Sequence, residues 1–213
     1  MDNTKVKILE EFVEKELAQD VTGHDISHAM RVMHNAMTII KEEHSENINE
    51  DIILAASLVH DVADHKLFVD LVWQSEKITA VLSEVGFKQN EITEILDIVH
   101  TISYREGNNP ALRSLNAQIV RDADRLDALG SIGIIRCIAY GTSKGRPFYE
   151  EKNLLKENKK ITFNKSTNTS LSHFYDKLLK LPSLMHTKTG KKLAKKRIKI
   201  MKKFLKSFYL ELA

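Results

Sequence analysis

Only one cysteine, Cys137, occurs in the 213 residues, so no intramolecular disulfide can form. That usage fits a reducing compartment and excludes a disulfide framework. Long apolar runs are missing too. The longest uncharged apolar stretch, around Ile52–Val59, is far too short to cross a bilayer. The opening Met1-Asp2-Asn3-Thr4-Lys5 leads into an acidic amphipathic stretch rather than a secretory leader, so a cytoplasmic protein with no membrane partner is expected. Neither an internal repeat nor an alternating strand pattern of useful length is found. What is there is ordinary globular composition, 42% apolar, in a chain long enough to bury a sizeable core.

Helical spacing dominates. Val6, Ile8, Leu9, Phe12, Val13 and Leu17 mark a first amphipathic helix. A second is expected from about Asp25 to Glu43, and Asn49 can cap a third over about Glu50–Asp64. That third segment is apolar nearly all round, which is the pattern of a buried central helix. A fourth, Ser75–Val85, should stop at Gly86, and Asn90 can cap a fifth running to about Ser103. Leu115–Tyr140 reads as one or two buried helices. Residues 141–169 break the pattern with Gly141, Gly145, Pro147 and a polar Ser/Thr-rich end, and a long flexible loop is expected there. It is either a lid that orders over substrate or a bare insertion. Leu171–Leu181 and Thr189–Leu212 then resume the helical pattern. The expectation is an all-α bundle, a single domain over 1–213, with a core at about 20–140 and the helices of 171–212 packed on it.

Net charge is only +3, but nine lysines and Arg197 lie between Lys188 and Lys206. This face is either simply solvated or met by an anionic partner. No aromatic or glycine motif accompanies it, so nucleic acid is not expected as a partner.

Three clusters carry ionisable groups into apolar surroundings. They are Gly23-His24-Asp25-Ile26-Ser27-His28, Val59-His60-Asp61-Val62-Ala63-Asp64 and Arg121-Asp122-Ala123-Asp124-Arg125-Leu126-Asp127. A carboxylate buried without a partner costs several kcal/mol, on the order of the isolated-charge penalties known for interiors, so each needs a cation, a donor or a metal. Adjacent helical side chains diverge by about 100°, yet His60 and Asp61 differ in reach and can converge on one ion. Asp64 lies about one turn after His60, and Asp127 shares a face with Asp124. Three separate helices thus offer His28, His60 with Asp61, and Asp124 around one point, as a bundle-core metal site requires. With no thiolate among them, the set favours Mn²⁺, Fe²⁺ or Mg²⁺, with Co²⁺ or Ni²⁺ also admissible, over structural zinc.

The order His…His-Asp…Asp resembles the HD superfamily of metal-dependent phosphohydrolases. The wider wording resembles a bacterial subgroup with nucleotide pyrophosphohydrolase activity. His24-Asp25-x-x-His28-x-x-Arg31-Val32, Leu58-Val59-His60-Asp61-x-Ala63-Asp64 and Asp122-Ala123-Asp124-Arg125-Leu126-Asp127 carry it. So do Tyr140-Gly141…Gly145-Arg146-Pro147 and His173-Phe174-Tyr175-x-Lys177-Leu178. The resemblance implies that His28, His60, Asp61 and Asp124 hold one divalent ion and that nucleoside or deoxynucleoside triphosphates are cut to monophosphate and pyrophosphate. His100 stands where some binuclear relatives have another histidine, and a helix-surface role is the alternative.

Asp64 is the candidate for orienting or deprotonating the attacking water, and its alternative role is to support His60. Arg125 is the candidate cation for developing phosphate charge. His24, Asp25, Lys66, Asp127, Arg146 and Lys177 are expected around the substrate, although His24 and Asp25 can equally cap the second helix or orient His28. Two rivals stand beside this reading. One is an HD enzyme of other specificity: a nucleotidase, a cyclic-dinucleotide phosphodiesterase or an alarmone hydrolase. The other is a non-catalytic binding module that keeps its metal. A homodimer is compatible with all of them.

Overall fold

A computed structural model describes residues 1–20, 22–64, 67–102, 111–150 and 168–212, together with the backbone of two short strands between them. The helices are α1 (Asn3–Leu17), α2 (Ile26–Glu43), α3 (Glu50–Val59), α4 (Leu71–Glu84), α5 (Gln89–Ile102), α6 (Leu115–Asp127), α7 (Gly130–Ser143), α8 (Ser170–Asp176) and α9 (Lys188–Glu211). A 3₁₀ segment, Leu178–Leu184, joins the last two. No helix among the described residues is long and apolar enough to cross a membrane.

The architecture grows from α3. Its residues Ile52 to Val59 are all buried, so every face must be covered. Coverage comes from α2, α5, α6 and α1, while α2 also packs extensively on α6. Asn49 caps α3 by accepting from the Ile52 amide at 3.2 Å, and Glu50 and Asp51 complement the positive end of the helix. α4 stops as expected. Gly86 adopts φ +86°, and the Phe87 and Gly86 amides bond back to the Leu82 and Ser83 carbonyls. That is a Schellman closure, for which a residue without Cβ is suited.

α9 lies against α7, α6, α2 and the 3₁₀ segment. Ala194, Ile198, Met201 and Leu205 give it a buried stripe, and its lysines remain exposed. Asp122 pins its start. This fully buried carboxylate accepts from the His186 amide and from both the amide and hydroxyl of Thr187, the α9 N-cap. A Cβ on Gly190 would sit 2.5 Å from Asp122 Oδ2, so this close approach needs glycine. Arg197 is drawn out of the basic face, donating to the Leu126 carbonyl at 2.6 Å and to Asn35 Oδ1 at 2.7 Å.

Several boundaries depart from expectation. α3 ends at Val59 rather than Asp64, and the chain turns through i→i+3 bonds from Val62 to Val59 and from Asp64 to Asp61. Asn90 is not a cap, because α5 begins at Gln89. Lys88 occupies the cap position, where its amide donates to Glu91 Oε2 at 2.8 Å. The expected loop from 141 starts late, since α7 continues to Ser143. It also contains β1 (Leu154–Glu157) and β2 (Lys160–Phe163), an antiparallel ribbon with Glu157 opposite Lys160. Four-residue strands are too short to display a period, which is why the sequence reads there as unpatterned. The remainder of 151–167 lies outside the described residues, and so does the expectation of flexibility.

Candidate metal centre

His28 sits in the first turn of α2. Asp25, expected near substrate, instead caps that helix, its Oδ1 accepting from the His28 amide at 2.9 Å. The imidazole is 1% exposed. Its Nδ1 lies 2.8 Å from Asp127 Oδ2, an oxygen that can only accept, so Nδ1 carries the proton and Nε2 faces inward. Asp127 is a positioning group. Besides His28 it receives Arg31 through Nε at 2.8 Å and a second guanidinium nitrogen at 3.1 Å, and Arg136 at 2.8 Å. Burial opposes its charge, but His28 and Arg31 hold the carboxyl well below the usual range. The expectation of substrate contact at Asp127 is therefore corrected: it lies behind His28, 2% exposed, and forms no part of the cleft lining.

His60 ends α3. Its Nδ1 lies 2.9 Å from the Ser57 carbonyl, again an acceptor only, so its Nε2 also faces inward. The two Nε2 atoms are 3.2 Å apart. Asp61 Oδ2 is 3.3 Å from His28 Nε2, and Asp61 Oδ1 is 3.3 Å from His60 Nε2. Asp124 Oδ1 completes the cluster at 3.6 Å from His28 Nε2 and 3.8 Å from His60 Nε2. The geometry thus brings together all four residues expected to hold a metal.

This arrangement needs a cation. Two imidazole lone pairs cannot face each other at this distance with nothing positive between them. Asp61 Oδ2 is buried and, among the described residues, has no hydrogen-bond partner. Ligand atoms held about 2.1 Å from one ion lie about 3 Å apart when adjacent and about 4 Å when opposite. The observed separations match that range, and the ligand atoms of His28, His60 and Asp124 all fall within 4.8 Å of one another. Two neutral imidazoles and two carboxylates suit a hard or borderline divalent ion.

With a proton rather than an ion on the cluster, burial would push His28 down, but Asp127 and Asp61 outweigh it and carry it from 6.5 up to about 9. A divalent ion must displace that proton. Metal affinity should therefore climb with pH, by up to about tenfold per unit, and level off above about pH 9. Competitive titration at several pH values checks it. The stability of the metal-free protein should move oppositely. The contribution of protonated His28 is complete below pH 6.5 and is lost as pH rises through about 9. Asp127→Asn, which weakens the support of His28, should lower metal affinity or activity by roughly 10–100-fold, as outer partners of metal ligands do. Metal titration of the folded variant measures it.

The centre forms the floor of a cleft of about 610 Å³. Of the candidate catalytic and substrate residues, His24, Asp64, Arg125, Arg146 and Lys177 line it, and Arg136, Lys180, His173 and Tyr140 join them. Arg125 also donates to the Leu184 carbonyl. Lys66 lies outside the described residues. His100 is on the outer side of α5, with Nε2 3.0 Å from Ser75 Oγ, and is not part of the metal cluster. Cys137 lines the cleft, but burial pushes its thiol up to about 12, which leaves it un-ionised. Burial likewise takes His173 down to about 4, so it is neutral.

Arg136 lies outside the three sequence clusters, although one feature of the sequence marks it. It is the single charge in the run Ser131–Tyr140, and a charge inside an apolar helix needs a partner, here Asp127.

Two histidines and two aspartates from three parts of the bundle thus meet beneath a cationic cleft, a group that could hold a divalent metal ion. The HD domain family matches residues 25–129. A Bacillus thuringiensis HD-superfamily hydrolase of solved structure is 34% identical, with a TM-score of 0.74, 98% of this chain covered and 97% of that one. A Lactobacillus plantarum protein of solved structure is 31% identical, with a TM-score of 0.78, covering 99% and 98%. YpgQ of Bacillus subtilis, solved in complex with ADP, is 26% identical, with a TM-score of 0.76 and 97% of each chain covered. The chain belongs to the HD superfamily.

Proposed function

We propose that this protein is a metal-dependent nucleotide pyrophosphohydrolase that cuts nucleoside or deoxynucleoside triphosphates to monophosphate and pyrophosphate. The observation that carries the reading is the pairing of the four-residue metal cluster with Arg125, Arg136, Arg146, Lys177 and Lys180 around one cleft. Its volume falls within the roughly 300–1,000 Å³ usual for small-molecule sites. The ADP complex of YpgQ supports a nucleotide as the ligand class.

When bound, the ion, Mn²⁺ by preference, lowers the pKa of water toward neutrality and polarises a phosphoryl oxygen. His28 and His60 supply nitrogen donors fixed by Asp127 and Ser57, while Asp61 and Asp124 supply charge. Asp64 accepts a proton from the attacking water in this reading, which its position in the cleft lining, 7% exposed, supports. The arginines and lysines meet the phosphate oxygens, where negative charge grows in the transition state.

Incubating the protein with Mn²⁺, Co²⁺ or Mg²⁺ and a panel of nucleotides, with products resolved by ion exchange, tests the proposal. Monophosphate and pyrophosphate in equal amounts are expected. Orthophosphate release, opening of a cyclic dinucleotide, or pyrophosphate from an alarmone alone would replace it with a rival HD activity. A metal-loaded protein inert on every phosphoester would point to a binding module.

A further inference from the structure

The turn before α2 carries hydrogen bonds that neither the metal cluster nor the cationic cleft explains. Asp20 Oδ2 accepts from the Thr22 amide at 2.9 Å and the His24 amide at 2.7 Å. Its Oδ1 lies 2.6 Å from Thr22 Oγ1, and Thr22 Oγ1 lies 2.7 Å from His24 Nδ1. Burial works against the charge on Asp20, but Thr22 and His24 hold its carboxyl below the ordinary range. An ionised carboxylate only accepts, so the one hydroxyl proton of Thr22 is given to Asp20. Thr22 Oγ1 must then accept at its other contact. His24 Nδ1 is therefore the protonated nitrogen, and Nε2 keeps its lone pair with no hydrogen-bond partner among the described residues.

We propose that Asp20 and Thr22 are positioning residues that lock His24 in its Nδ1–H tautomer, so that Nε2 accepts a hydrogen bond from a sugar hydroxyl of the bound nucleotide. This rests on the nucleotide reading above. The His24 ring lines the cleft with its centroid 5.8 Å from that of His28, next to where the scissile phosphate must lie. Phosphate oxygens are acceptors and cannot pair with an acceptor nitrogen. Two donors adjoin the α-phosphate: the attacking water, whose proton is assigned above to Asp64, and a sugar hydroxyl, which is left for His24. Tyr140, edge-on to His24 at 6.2 Å, gives the sugar an apolar flank.

Two measurements on the Mg²⁺-loaded protein test this. A long-range ¹H–¹⁵N spectrum of the histidine rings should show His24 protonated at Nδ1 and bare at Nε2, and Thr22→Val should mix the tautomers. Kinetics should show Thr22→Val raising KM about three- to tenfold for a deoxynucleoside triphosphate, the scale of one neutral hydrogen bond. A 2′,3′-dideoxy substrate should be unaffected, and Thr22→Ser should restore the wild-type KM. A wild-type spectrum showing His24 protonated at Nε2 would overturn the proposal, and an equal rise for both substrates would overturn its sugar contact. Absence of nucleotide hydrolysis by the wild type would strike the nucleotide reading and the sugar contact together. The spectrum would still decide the tautomer.

Discussion

Asp61→Ala should lose both metal and hydrolysis. Asp61 is 5% exposed, and each of its oxygens approaches a different histidine nitrogen at 3.3 Å. Burial alone would raise its carboxyl, yet His60 and His28 hold it well below the ordinary range, so it is a fixed negative charge at the floor of the cleft. Alanine removes a ligand and that charge together. The loss of affinity should exceed the roughly 10–100-fold seen when only an outer partner is changed. Elemental analysis after desalting should show metal falling in parallel with turnover, while circular dichroism reports an unchanged helical fold. Full metal occupancy in the variant would remove Asp61 from the ligand set.

Asp64→Asn should separate chemistry from binding. The side chain keeps its size and loses its basicity. Asp64 sits four residues after His60, beyond the turn that closes α3, and lines the cleft without belonging to the metal cluster. If it takes the proton of the attacking water, turnover should fall by roughly 10²–10⁴ with metal affinity near wild type. Retained turnover with weakened metal binding would instead make Asp64 a support for His60.

Much of this site was legible because its residues break an apolar pattern. His60 and Asp61 end a segment buried on every side, and Asp124 stands among Val120, Ala123 and Leu126, all buried. Burial of that kind forces a partner, and three such interruptions on three helices leave few partners other than a shared cation. Local chemistry also set the caps at Asp25, Asn49 and Gly86, where a side chain or a free φ acts within a few residues.

What escaped depends on distance along the chain. Asp127 looked like a neighbour of Asp124 on the same face. Only the packing of α2 and α7 against α6 shows that its carboxylate is held by Arg31 and Arg136 behind His28. Asn90 failed as a cap because Lys88 with Glu91 offered the alternative two residues earlier. The ribbon Leu154–Phe163 was missed because a pair of four-residue strands is stabilised by pairing, which no single strand announces.

The metal centre itself is tested most directly by an anomalous difference map from crystals loaded with Mn²⁺. One peak is expected between His28 Nε2, His60 Nε2, Asp61 and Asp124, at about 2.0–2.3 Å from each. A peak elsewhere, or none at these four residues under conditions that support turnover, would contradict the account.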